Sequence, residues 1–287
     1  MVGESGCGKT VTALTTMLLH PQPEGKIEGG EILFYPNGGK ALDIAKLNIY
    51  GRKIRSIRGN QIAMIFQEPM MSLNPVYTIG QQITEAIFLH RKVDKRTAKE
   101  IAVDMLEKVR ISAPDQRFSQ YPHELSGGMR QRIMIAMALV CHPAILIADE
   151  PTTALDVTIE AEILRLMMDL REEMGMSILI ITHDLGVVGE IADDVIVMYV
   201  GKVVEKAPVK ELFQNPLHPY TDALLKSRPE IKKTGRLSSI KGTVPNPYLL
   251  PEGCYFASRC PDVKEICRKQ NPSQTNIDGH LVYCWKY

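Results

Sequence analysis

Eight residues near the beginning of the chain restrict its fold more than any other stretch. Gly3-Glu4-Ser5-Gly6-Cys7-Gly8-Lys9-Thr10 fits the spacing G-x-x-x-x-G-K-[ST]. At average composition such a pattern arises by chance in about 1% of chains of this length. Glycines at fixed places let the backbone come close to an anion, so the N–H groups of Gly6, Gly8 and their neighbours can form a nest for phosphate. Lys9 is then set to neutralise charge on the β- and γ-phosphates, and the Thr10 hydroxyl to ligate Mg2+. Such a loop works between a buried strand and a helix. Only Met1 and Val2 precede it, where a strand takes about 5–6 residues. The expectation is therefore an N-terminally truncated chain, with Val11 to Leu19 as the helix whose start faces the phosphates.

The rest of the sequence reads as α/β. Ala144-Ile145-Leu146-Ile147-Ala148 is a short apolar run between Pro143 and Asp149, as a buried parallel strand requires. A helix is expected over about 157–174, then two further buried strands, Ser177 to Thr182 and Val195 to Val200. Glu31 to Tyr35 and Ile62 to Phe66 read as short strands in a glycine-rich region. Apolar residues recur at helical spacing from Ile79 to Val109, and residues 128–141 form another apolar helix. This alternation predicts a parallel sheet covered on both sides, interrupted by an all-helical insert over about 68–141. Composition shifts near 215 to proline-rich segments and late cysteines. The expected domains are 1–225 and a small extension over 226–287. The longest apolar run, Ile133 to Cys141, is well short of the roughly 18–20 residues of a membrane span. Lys and Arg number 34 against 33 Asp and Glu, a net charge of +1. That is not the basic surface that sequence-independent nucleic-acid binding needs, and no nucleic acid is expected as a partner.

Further residues complete a phosphoryl-transfer chemistry. Asp149 and Glu150 follow an apolar strand, at the strand end where open α/β sheets bind ligands. Asp149 can hold Mg2+ and Glu150 can polarise an attacking water. Thr182-His183-Asp184 follows the next strand and presents an imidazole for a γ-phosphate contact. Gln67, after the strand ending at Phe66, can reach Mg2+ or the water. Leu125-Ser126-Gly127-Gly128-Met129-Arg130-Gln131 opens a helix with a hydroxyl and two glycines, a second N-terminus receptive to anions.

Taken together, these motifs resemble those of ABC-transporter ATPases. The resemblance makes Gly3 to Thr10 the Walker A loop, Gln67 the Q-loop glutamine and Leu125 to Gln131 the signature, with Ser126, Gly127, Gly128 and Gln131 toward nucleotide. It makes Ile145 to Asp149 the Walker B strand, Glu150 the catalytic base, Ala154-Leu155-Asp156 the D-loop and His183 the switch histidine. It implies a P-loop NTPase core that binds ATP and Mg2+. Each nucleotide would be clamped between one subunit's Walker A loop and the signature of a second, identical or homologous ATPase subunit. The aromatic that usually stacks on adenine lies before Walker A, so no residue here takes that role.

Gln67-Glu68-Pro69-Met70-Met71-Ser72-Leu73-Asn74-Pro75 and Asn215-Pro216-Leu217-His218-Pro219-Tyr220-Thr221 resemble the forms found in importers of oligopeptides and dipeptides. Nickel importers share much of this pattern, and a soluble ABC ATPase outside transport is a further alternative. The implied partners are two transmembrane permease subunits and an extracytoplasmic solute-binding protein, with this chain at the cytoplasmic face of the inner membrane. Residues just after Gln67, with Met70 and Met71, would receive a permease helix.

Four of the six cysteines, Cys254, Cys260, Cys267 and Cys284, fall within the last 34 residues, spaced C-x5-C-x6-C-x16-C. Clustered cysteines in a reducing cytosol favour metal over disulfide. No tight C-x2–4-C pair of the kind that marks structural zinc is present. Four thiolates also suit a [4Fe–4S] cluster, which the resemblance favours over zinc or metal-free thiols. Cys7 and Cys141 are expected to be small packing residues.

Overall fold

The computed structural model describes residues 1–67, 73–153, 155–227 and 240–287. These form two compact units, Ala13–Ile180 and Met1–Thr12 together with Ile181–Tyr287. Along the chain run α1 (Lys9–Thr16), β1 (Leu33–Phe34), β2 (Leu42–Asp43), α2 (Arg52–Arg55) and β3 (Ile62–Ile65). Then come α3 (Ile79–His90), α4 (Lys95–Lys108), α5 (Pro114–Phe118), α6 (Gly127–Leu139) and β4 (Ile145–Asp149). They are followed by α7 (Val157–Met174), β5 (Ser177–Ile181), α8 (Leu185–Ile191), β6 (Asp194–Tyr199) and β7 (Lys202–Pro208). The last elements are α9 (Val209–Gln214), α10 (Pro219–Lys226), α11 (Glu265–Lys269), β8 (Thr275–Ile277) and β9 (His280–Val282). Glu68–Ser72 of the expected segment Gln67–Pro75, with Met70 and Met71 of the expected permease-helix site, and Ala154 of the D-loop lie outside the described residues.

In the unit Ala13–Ile180 the sheet runs β3-β4-β5. β3 and β4 are parallel, from Ile62 opposite Ile145 to Ile65 opposite Ala148. Leu146, Ile147 and Ala148 are buried, as the uninterrupted apolar run requires. The periodic stretch 79–109 divides into two helices because each half has its own cap. Thr78 and Gln81 form a reciprocal capping box on α3, and the Asp94 carboxylate accepts from the Thr97 N–H to start α4. Ile79, Ile83 and Ile87 of α3, spaced four apart, enter one core with Ala98, Ala102 and Leu106 of α4 and with Ile133 and Ala136 of α6. Each buried isoleucine or leucine among them contributes about 1.5–3 kcal/mol. The strand expected over 31–35 is shorter than its apolar run, because only Leu33 and Phe34 pair with β2.

The other unit holds a four-stranded sheet in the order β6-β7-β9-β8. The alternation of strands and helices suggests that Val195–Val200 continues a parallel sheet. Instead, β6 pairs antiparallel with β7 along its length, and its parallel partner among the described residues is the single bridge from Val2 to Val197. The turn explains the difference. Val200 (φ 43°) and Gly201 (φ 76°) both take left-handed conformations, which closes a two-residue hairpin of type I′ geometry. Gly201 between two apolar runs is the signal in the sequence that marks this hairpin.

The C-terminal segment belongs to the same sheet, with Glu205 of β7 opposite Val282 of β9. The Glu205 side chain is fully buried and accepts from the backbone N–H groups of Leu217 (2.8 Å) and His218 (3.0 Å). It also lies 2.6 Å from His280 Nε2. A buried carboxylate is tolerated only with such partners. His218 caps α10, its Nδ1 accepting from the Tyr220 N–H at 3.0 Å.

Burial drives the His218 imidazole pKa down to about 4. The unfolded chain, with an ordinary histidine pKa near ~6.5, therefore binds the extra proton first as pH falls. Stability contributed by neutral His218 is present above about pH 6.5 and is lost as pH drops toward 4. The expected loss over that window is at most about 3 kcal/mol, measured by urea unfolding at stepped pH. The same series on His218→Asn should be flatter, and an equally steep profile would assign the loss to other groups.

Candidate active site

The glycine-rich loop is shaped by its neighbours in the unit that contains it. Val2 enters with its N–H donating to Ile196 O (2.9 Å) and its carbonyl accepting from Met198 N–H (2.8 Å). Gly3 follows at φ 152°, where a Cβ would stand 2.2 Å from the Met198 carbonyl oxygen. No side chain fits at that approach. Gly6 and Gly8 take φ 78° and 85°, which turns successive N–H groups toward one side, as an anion nest needs. The Cys7 carbonyl accepts from the Gly201 N–H at 2.9 Å, so the β6–β7 turn holds the far side of the loop. Lys9 is almost fully buried, and its Nζ donates to the carbonyls of Gly3 (2.7 Å) and Glu4 (3.1 Å). The ammonium thus lies folded across the loop, held by carbonyl oxygens where phosphate oxygens could replace them. Ser5 and Gly6 are exposed, and Thr10 lies in the first turn of α1. His183 is exposed just after Thr182, whose hydroxyl accepts from the Asp184 N–H at 2.9 Å.

The other unit positions the carboxylates. The β3–β4 register pairs Ile65 with Ala148, so residues the same number of steps beyond each strand emerge at one rim. Gln67 and Glu150 do so, and Gln67 Nε2 donates to Glu150 Oε2 at 3.0 Å. The same oxygen accepts from Thr153 Oγ1 at 3.1 Å. Glu150 has φ 47°, a conformation that costs a non-glycine residue about 1 kcal/mol or more and that clusters at functional sites. Asp149, one residue earlier, is only 1% exposed. A buried carboxylate beside a half-buried one at the rim gives two roles: the first suits a hard cation, the second a water molecule.

The signature segment is built as a helix start. Ser126 accepts from the Met129 N–H at 3.3 Å as the cap of α6, and Ser126 and Gly127 are exposed at its start. Gly128 sits against Ile159 of α7, where a Cβ would come within 3.3 Å of its methyl group. Gln131 is buried, its amide donating to the Pro151 carbonyl, which ties the signature helix to the segment after Glu150. Asp156 accepts from the Ile159 N–H at 3.0 Å and caps α7.

The family model described as "ABC transporter" matches residues 1–153, more than half of the chain. The chain belongs to the ABC transporter ATP-binding family. A second model, "Oligopeptide/dipeptide transporter, C-terminal region", matches residues 204–267. The oligopeptide transport ATP-binding protein AppD of Bacillus subtilis is 53% identical over 100% of this chain and 86% of its own length. The probable peptide ABC transporter ATP-binding protein y4tR of Sinorhizobium fredii is 52% identical over 100% of this chain and 84% of its own length. Among solved structures, the dimeric bacterial ABC transporter cassette MJ0796 superposes with a TM-score of 0.60 at 26% identity, over 72% of this chain and 83% of that one. Among the described residues of this ABC ATPase, no helix is long and apolar enough to cross a membrane.

Sequence reasoning finds the motif residues of this family member but not their supports. Thr153 on Glu150, Tyr220 on Glu4 and Gly201 on Cys7 carry no local signature, and the last two are contacts between distant parts of the chain. The cysteines divide as expected in one respect: Cys7 and Cys141 are free and buried. Cys254, Cys260, Cys267 and Cys284 all border one pocket with His218 and Phe256. Burial pushes the Cys254 and Cys284 thiols up, and that of Cys260 to about 11. The donor chemistry fits a thiolate-bound group, but the spacing does not. Among the described residues no three Cys, His, Asp or Glu side chains stand close enough to hold a metal ion.

Gly3→Ala should destabilise the protein by about 2–4 kcal/mol, because the methyl group forces the loop off β6. Chemical denaturation checks this, and an unaltered midpoint would show that the loop yields without strain.

Proposed function

We propose that this chain is the ATP-hydrolysing subunit of an importer of oligopeptides or dipeptides. The observation that carries the reading is the pair of family matches. The ATP-binding part is general to ABC transporters, whereas residues 204–267 match the C-terminal region of oligopeptide and dipeptide transporters. The names of the relatives point the same way. They favour peptide over nickel, and transport over a soluble role.

In this reading Gly3, Glu4, Ser5, Gly6, Cys7, Gly8, Lys9 and Thr10 bind the triphosphate. Backbone N–H groups of the loop meet phosphate oxygens, and Lys9 exchanges the Gly3 and Glu4 carbonyls for them. Thr10, Gln67 and Asp149 would hold Mg2+, which supplies charge neutralisation on the transferring phosphoryl group. Glu150 accepts a proton from water, oriented by the Gln67 amide that already reaches its carboxylate. His183 contacts the γ-phosphate. Ser126, Gly127, Gly128, Gln131 and Asp156 act on the nucleotide of a second ATPase subunit, identical or homologous. Two transmembrane permeases and an extracytoplasmic solute-binding protein complete the assembly, with this chain peripheral at the cytoplasmic face of the inner membrane.

Glu150→Gln should keep Mg-ATP binding and lower hydrolysis at least about a hundredfold, the usual scale for removing a general base. Lys9→Ala should abolish binding itself. In cells that depend on this chain, both variants should stop uptake of a labelled tripeptide and leave nickel uptake unchanged. Loss of nickel uptake alone would replace peptide by metal as cargo.

The finer reading of the C-terminal cysteines is a [4Fe–4S] cluster held by Cys254, Cys260, Cys267 and Cys284, with zinc as the alternative. Its support is the single pocket that the four residues border; closing on a cluster requires their side chains to draw together. Anaerobically purified protein should be brown and contain iron. Colourless protein with stoichiometric zinc, or with neither metal, overturns this assignment.

A further inference from the structure

Every polar group of Glu4, the second residue of the phosphate loop, is held. Its N–H donates to Tyr220 Oη at 2.9 Å. Its carbonyl accepts from Lys9 Nζ (3.1 Å) and from the Cys7 N–H (3.2 Å). Its carboxylate meets the Arg259 guanidinium as a two-pronged pair, Nη1 to Oε2 at 2.7 Å and Nη2 to Oε1 at 3.1 Å. Arg259 lies 255 residues away along the chain, in the C-terminal segment.

Arg259 is itself built in. Its side chain is only 4% exposed, against 27% for Glu4. Beyond Glu4 it donates from Nε to Lys241 O (2.9 Å), from Nη1 to Tyr199 Oη (3.2 Å) and from Nη2 to Ile240 O (3.4 Å). Those contacts engage the whole donor fork of the guanidinium. The rings of Tyr199 and Phe256 approach its centre at 5.8 and 5.9 Å, and both rings pack on Tyr220. Tyr220, Tyr199 and Arg259 thus form one packed block that holds the half-buried Glu4 carboxylate. A surface ion pair would be worth little. A desolvated, bidentate pair is different, because removing the cation leaves a carboxylate uncompensated.

We propose that Arg259 is a positioning residue of the phosphate loop, through which the C-terminal segment sets affinity for the nucleotide. It fixes the Glu4 backbone while Lys9 changes partners, and it cancels the one negative charge within the loop. Without it, the Glu4 carboxylate repels an incoming polyphosphate and the loop loses its outer wall. This inference rests on the reading of Gly3–Thr10 as the ATP site. It concerns the approach and hold of the nucleotide rather than the transfer step, so it predicts an effect on KM and little on kcat.

The test is Mg-ATP binding by fluorescent-nucleotide titration, with steady-state hydrolysis, on the full chain. Arg259→Met should weaken binding about tenfold and raise KM alike, with kcat within about threefold. Arg259→Lys keeps the charge but not the fork, and should fall between the two. The double variant Glu4→Gln with Arg259→Met should bind Mg-ATP more tightly than Arg259→Met, since no bare carboxylate remains. Wild-type affinity in Arg259→Met overturns the proposal, and so does a double variant no better than the single one, which would leave Arg259 a support of the tail alone. Should Arg259→Met fail to fold, wild-type affinity in Arg259→Lys overturns it equally. Lys9→Ala separates the two readings. If that variant still binds nucleotide, the site assignment fails; if it does not bind and Arg259 variants are unaffected, only this inference fails.

Discussion

A backbone that presents its N–H groups to an anion cannot also use them to hold itself in place. That constraint shapes the unit around Gly3–Lys9. The loop turns through left-handed conformations at Gly6 and Gly8 and bonds to itself through the Cys7 N–H and the Lys9 ammonium, so the rest of its fixation comes from outside. Val2 ties its entrance to β6, the Gly201 N–H holds the Cys7 carbonyl, and the Tyr220 hydroxyl takes the Glu4 N–H. Each anchor uses a group that faces away from the nest. The cost of the conformation is thus met by residues that never need to touch a ligand.

The carboxylate pair depends on a second constraint, the register of a parallel sheet. Neighbouring parallel strands end on the same side, so the positions after β3 and β4 meet whatever their separation in sequence. Gln67 and Glu150 are brought together in this way. The left-handed backbone at Glu150 turns the chain sharply after Asp149. One carboxylate therefore stays in the strand's buried end while its neighbour reaches the rim. Adjacent acids would otherwise share one environment and one function.

The C-terminal segment acts through the same sheet that anchors the loop. β9 adds to β7, and the buried Glu205 joins β7 to the 217–218 turn and to His280. Tyr199, Tyr220 and Phe256 then fill the space between the sheet and the tail with aromatic rings 4.7–5.3 Å apart. Hydrophobic burial and a satisfied buried charge both favour one placement of the tail, and that placement delivers Arg259 to Glu4. A segment whose family match marks the kind of transporter is in this way also part of the support for the phosphate loop.

What the sequence determined by itself is the set of local structures with local causes. The glycine and lysine spacing of Gly3–Thr10, the apolar run ending at Asp149, and the caps Thr78, Asp94, Ser126 and Asp156 all act within a few residues of themselves. Their signals are therefore contiguous and readable. Tertiary structure decided whatever joins distant segments. β7 was hidden because its partner choice depends on the two-residue turn at Val200-Gly201 and not on its own alternation. The contact of Gln67 with Glu150 needed the strand register. The clamp of Arg259 on Glu4 needed a sheet to carry the tail back to the start of the chain. An arginine 255 residues from its carboxylate leaves no periodicity to read, because chain connectivity does not limit which distant groups a packed core brings together.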